Sequence, residues 1–80
     1  MKYVTVRVVN SSGSPQSGAR VTVGIYHFAA SGNSNDEYTN SSGEAEFRLD
    51  IDDGAEINIY VNGSEKVSRT KPRSEFKITI

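Results

Sequence analysis

The sequence predicts an all-β protein: a single domain over residues 1–80, folded as a seven-stranded antiparallel two-sheet sandwich with Greek-key connections. Three observations predict it. Apolar and polar residues alternate with a period of two in short runs such as Tyr3–Val9 and Glu44–Leu49, which is how a sheet with one wet face reads. Clusters of Gly, Asn, Ser and Asp separate those runs at intervals of about 8 to 12 residues. No stretch carries the 3.6-residue period of a helix.

The first strand begins at about Lys2 and runs through Tyr3–Val9, with Val4, Val6 and Val8 on one face and Tyr3, Thr5 and Arg7 on the other. Asn10–Gly18 is turn vocabulary without periodicity and forms a loop. From Ala19 the alternation resumes, with Ala19, Val21, Val23 and Ile25 inward and Arg20, Thr22, Gly24 and Tyr26 outward. The reading pairs this second strand with the first as a hairpin. Phe28–Asn35 is expected to be the longest connection, and Asp36–Asn40 a short third strand.

Thr39–Leu49 is the stretch on which the other segments depend. Asn40, Ser41, Ser42 and Gly43 make a turn, and Glu44–Leu49 then alternates strictly, sending Ala45, Phe47 and Leu49 to the core. Asp50–Gly54 turns again, with Ile51 tucked under the sheet edge. Glu56–Asn62 follows with Ile57, Ile59 and Val61 inward, then the Asn62–Gly63 hairpin signal, a short strand over Lys66–Thr70, a corner at Pro72, and a last strand over Glu75–Ile80 with Phe76, Ile78 and Ile80 inward.

The net charge of −1 argues against duplex nucleic acid or an anionic membrane as partner. The charge is unevenly spread: acids dominate from Asp36 to Glu56, whereas Lys66, Arg69, Lys71, Arg73 and Lys77 outweigh Glu65 and Glu75. Two solvated faces that attract each other across the fold account for this. With no cysteine, neither disulfides nor a thiolate zinc site can staple the domain, so packing must hold it. No apolar run approaches the roughly 20 residues of a membrane span, and the N-terminus lacks the order of a signal peptide. A chain whose strands begin at Lys2 and run to Ile80 reads as a module of a longer exported chain.

Two stretches together resemble a known pattern. Gly13-Ser14-Pro15-Gln16-Ser17-Gly18-Ala19-Arg20-Val21-Thr22-Val23 is similar to the opening of the carboxypeptidase regulatory-like modules, which share the transthyretin-like (prealbumin-like) sandwich. Thr39-Asn40-Ser41-Ser42-Gly43-Glu44-Ala45-Glu46-Phe47 resembles their second mark. Both marks also occur in bacterial immunoglobulin-like repeats and collagen-adhesin B-type stalk modules, so the resemblance specifies architecture, with transthyretin-like and immunoglobulin-like topologies both open. It implies a non-enzymatic structural or protein-interaction module, an accessory or spacer domain at the cell surface or outside the cell. Collagen-adhesin modules can cross-link a lysine of the first strand to an Asn or Asp of the last. Lys2 could serve, but Glu75–Ile80 offers neither partner.

Candidate sites are few. His27 stands without an activated nucleophile or an orienting acid in any readable motif, so no enzyme, cofactor or zinc site is expected. Asp50-Ile51-Asp52-Asp53-Gly54 has the spacing of a calcium loop but no distal glutamate at the required offset, and reads as a turn. Asn10, Asn40 and Asn62 each open a glycosylation acceptor sequence within a turn. The outward aromatics are the best candidates for contact. If the first two strands pair, Tyr3 lies beside Tyr26 with Phe28 on the same face, and Tyr38 could join them. Such a platform could stack on a glycan, or meet a protein partner, a neighbouring domain or a second copy in a homodimer. Cross-strand aromatic pairs that merely stabilise an exposed face are the simpler account.

Overall fold

A computed structural model describes residues 2–26, 31–33, 36–51 and 54–80. Among the described residues eight strands are formed: β1 Lys2–Val9, β2 Arg20–Tyr26, β3 Ser31–Asn33, β4 Glu37–Tyr38, β5 Glu44–Leu49, β6 Glu56–Val61, β7 Ser64–Thr70 and β8 Glu75–Thr79. One sheet has the order β5-β1-β8; the other has β3-β2-β6-β7, with β4 also pairing β2. Because β3 meets Gly24–Tyr26 and β4 meets Arg20–Val21, the two short pieces act as one interrupted strand along the edge of β2. The sandwich thus has seven strand positions in two sheets, as the alternation predicts.

The apolar sides of the sheets face each other. Val4, Val6 and Val8 of β1, Ala45, Phe47 and Leu49 of β5, and Phe76 and Ile78 of β8 meet Val21 and Val23 of β2 and Ile57, Ile59 and Val61 of β6, all buried. Ile51 is buried after β5, as expected. Ile25 and Val67 pack on the rim of this core rather than inside it. Ile80, expected inward, is 41% exposed because β8 ends at Thr79 and the last residue passes the end of the sheet.

The pairing of β1 differs from expectation. Its partners are β5, antiparallel from Lys2↔Leu49 to Arg7↔Glu44, and β8, parallel from Thr5↔Glu75 to Val9↔Thr79. It does not pair β2, which lies in the opposite sheet, so the sandwich is antiparallel everywhere except at β1–β8. The local chain explains why no hairpin forms. Asn10–Ser14 closes a turn on itself, Pro15 bridges back to Val9, and the Gln16 N–H donates to the Val8 carbonyl at 2.9 Å. The loop thus occupies the end of β1 and carries the chain across to the other sheet.

Ser31–Asn33, expected within a loop, is strand β3, and the expected strand over Asp36–Asn40 is reduced to Glu37–Tyr38. The Asn62–Gly63 turn is formed as its sequence predicts, with φ of 52° and 85° at the two residues, the twist that suits a two-residue hairpin. Strand β7 starts at Ser64, two residues earlier than expected, and departs twice from regular pairing, between Ile57 and Ile59 and between Ile59 and Tyr60 of its partner β6.

The turn before β5 docks the two sheets onto the loop between β1 and β2. Thr39, only 5% exposed, accepts the Ala19 N–H at its Oγ1 (2.9 Å) and donates that hydroxyl to the Gln16 carbonyl (2.5 Å). Its backbone also exchanges bonds with Gly18 and Ala19. Gly43, at φ 76°, gives its carbonyl to the Val8 N–H at 2.7 Å. A Cβ on it would lie 2.6 Å from the Val8 carbonyl oxygen, so only glycine fits this approach.

Candidate interaction surface

Of the aromatic residues proposed for contact, Tyr3, Tyr26 and Tyr38 are not brought onto one platform. Tyr3 is paired with Arg48 on the outer face of the β5-β1-β8 sheet and is 68% exposed. Tyr26 lies on the outer face of the other sheet, opposite Glu56 of β6. This separation follows from the placement of β1 and β2 in different sheets. Tyr38, 64% exposed, sits beside Arg20 at the far end of β2 from Tyr26, about 20 Å away by the rise of a strand. Phe28 and His27 lie outside the described residues, as do Asp52 and Asp53 of the acidic turn.

Tyr26 and Tyr60 are each absorbed into a polar cluster on the outer face of the larger sheet. The Arg69 guanidinium lies 4.6 Å above the Tyr26 ring and its Nε bonds Glu56 at 2.8 Å. Across this face, Asn58 donates from Nδ2 to the Tyr60 hydroxyl at 3.0 Å and to Glu65 at 2.8 Å. The Glu65 carboxylate accepts only, so it fixes which end of the amide faces it. Asn58 is 1% exposed although strand parity places it outward. Its cross-strand neighbour is Gly24, which adds no side chain, and Tyr60 and Glu65 close over it from the same face. Its Oδ1 has no hydrogen-bond partner among the described residues. Parity could not have revealed this burial, because it depends on which side chains lean across an outer face.

The acceptor-sequence asparagines serve the turns. Asn10 Oδ1 takes the N–H groups of Ser12 and Ser14, and Asn40 Oδ1 takes those of Ser42 and Glu44. The two Asn-Ser-Ser-Gly segments therefore fold alike, each as a side-chain-capped turn. Asn62 Oδ1 accepts the Arg20 N–H at 3.0 Å. Among the described residues, no group of three or more His, Asp or Glu side chains is placed to hold a metal ion, and no helix is long and apolar enough to cross a membrane.

One groove, of about 250 Å³, opens beside the start of β1, lined by Lys2, Tyr3, Val4, Pro72, Arg73 and Ser74. It exists because β1 starts earlier than its neighbour: β8 joins β1 only at Thr5↔Glu75, and the chain before it turns at Pro72. Arg73 rests its guanidinium 4.5 Å above the Phe76 ring.

A family model described as macroglobulin domain MG4 matches residues 3–78, from β1 to within β8. The chain belongs to this macroglobulin domain family. Macroglobulin domains of this type are immunoglobulin-like β-sandwiches that act as non-catalytic structural or interaction modules, and proteins of the family are typically extracellular. The carboxypeptidase regulatory-like resemblance thus agrees with the match in its two-sheet architecture, while the family itself is the macroglobulin domain. No curated protein matches the chain.

Proposed function

We propose that this macroglobulin domain is a protein-contact and spacing module of a longer extracellular or cell-surface chain. The observation that carries the reading is the family match over almost the whole sandwich. The construction of the molecule supports it: the inward, apolar side chains of both sheets are spent on one core, and the exposed aromatics Tyr3 and Tyr38 stand singly on different faces, as contact residues do more readily than a sugar-stacking platform. Within the immunoglobulin-like class, we take the topology to be the transthyretin-like variant. Constant-type immunoglobulin domains keep their first two strands in one sheet, whereas here β1 and β2 lie in opposite sheets.

Sedimentation equilibrium of the domain, run beside a glycan-array screen of the same sample, tests this reading. A protein-contact module is monomeric or self-associating and retains no glycan. Glycan retention that Tyr26→Ala or Tyr38→Ala abolishes would establish the carbohydrate-binding alternative in its place. Residues 1–80 are taken to form one domain. Urea transitions followed by tyrosine fluorescence and by far-ultraviolet circular dichroism should then coincide, and separated transitions would contradict it.

A further inference from the structure

We infer that the groove beside the start of β1 receives an extended peptide segment carrying a carboxylate, added to the edge of the β5-β1-β8 sheet; this rests on the protein-contact reading above. The backbone supplies the first argument. Val8 sends its N–H toward the β5 side, to Gly43, whereas Thr5 donates to Ser74 and Val9 accepts from Ile80 on the β8 side. Ladder alternation then directs the N–H and C=O of Tyr3 to the β8 side too. At Tyr3, however, β8 has not begun, and no described backbone group bonds either atom. An unpaired donor and acceptor on a strand edge, facing a groove, is the arrangement that takes up a further strand.

The edges of the larger sheet are less suited to this. β7 departs twice from regular pairing, and the opposite edge of its sheet is broken into β3 and β4. Such irregular edges resist strand addition.

The chemistry of the rim selects the occupant. Lys2 and Arg73 flank the groove and no acidic residue lines it. Arg73 is exposed, and its guanidinium is held over the Phe76 ring by a cation–π contact. A guanidinium held this way offers two parallel bonds to a carboxylate. Among the described residues, no carboxylate is paired with it. The exposed Tyr3 ring supplies an apolar wall for a neighbouring side chain.

The test uses nitrogen-15-labelled domain and a library of acetylated, amidated five-residue peptides, with glutamate fixed at the centre and threonine or valine at the flanks. In the free domain the Tyr3 amide should exchange with solvent much faster than that of Thr5. The glutamate library should shift the Tyr3 and Ser74 amides saturably. Replacing glutamate by glutamine, or Arg73→Gln in the protein, should weaken the response at least about tenfold, with Arg73→Lys in between. Circular dichroism of the variants checks that they remain folded. A Tyr3 amide that stays unmoved at millimolar peptide, or an equal response to glutamate and glutamine, overturns the inference. Shifts confined to β7 or the outer face of the larger sheet also overturn it while leaving the protein-contact reading intact. Tyrosine-dependent glycan retention would instead remove that reading.

Discussion

Thr39 satisfies two backbone groups with one hydroxyl, the Ala19 N–H and the Gln16 carbonyl, in a position where water is excluded. Leaving a buried donor or acceptor unpaired costs about 1–3 kcal/mol for each group. Thr39→Val keeps the shape and removes the hydroxyl, so it should lower the unfolding free energy by about 2–6 kcal/mol in urea denaturation, whereas Thr39→Ser, which loses only a methyl group, should cost about 1 kcal/mol. The glycines allow a paired comparison. Gly13 and Gly43 occupy corresponding places in two like turns, at φ of 85° and 76°, but a Cβ on Gly13 meets nothing within 4 Å while one on Gly43 strikes the Val8 carbonyl. Gly13→Ala should cost about 1–2 kcal/mol, the left-handed penalty alone. Gly43→Ala should cost about 3 kcal/mol or more, and equal losses would show that the close approach is not tight. The turn chemistry of both segments was readable from Asn-Ser-Ser-Gly. That one of them presses against β1 was not, because a local turn motif carries no information about what it touches.

At the scale of elements, period-two alternation identified β1, β2, β5, β6 and β8 and most of the residues they bury, Val9 and Asn58 excepted, because an inward face must be apolar wherever it meets another sheet. It could not choose partners. β1 and β2 show the same alternation whether paired or facing, and the loop between them reads equally as a hairpin or a crossover. β3 escaped notice because Ser-Gly-Asn carries no apolar residue, and its pairing is imposed by the edge of β2. The placement of Phe47 needed only parity: opposite Val4 in the ladder and 4% exposed, it lies in the core between the sheets. Phe47→Ala should cost about 3–5 kcal/mol. An 80-residue domain has a total stability of about 4–12 kcal/mol, so the variant should lose a large share of it and melt at a clearly lower temperature by circular dichroism. A loss below about 1 kcal/mol would mean that the core is loosely packed there.

For the whole molecule, the wrong partner for β1 had a functional consequence: it assembled Tyr3, Tyr26 and Phe28 into a platform, whereas the fold divides Tyr3 from Tyr26 between opposite outer faces. The edge groove was illegible for a related reason. It arises from the offset between the start of β1 and the start of β8, and a parallel pairing between the first and last strands leaves no local signal. What survives from the sequence is the general role, a non-catalytic structural or interaction module, which the family match supports. The measurement that tests this role most directly is hydrogen exchange, followed by mass spectrometry, of residues 1–80 alone and of the native protein purified from its source. A contact module of a longer chain should gain protection in the native protein at exposed positions, foremost the strand edges and outer faces around Tyr3 and Tyr38. Identical exchange in the two samples, or a native species of only 80 residues that exchanges like the isolated domain, would contradict the account.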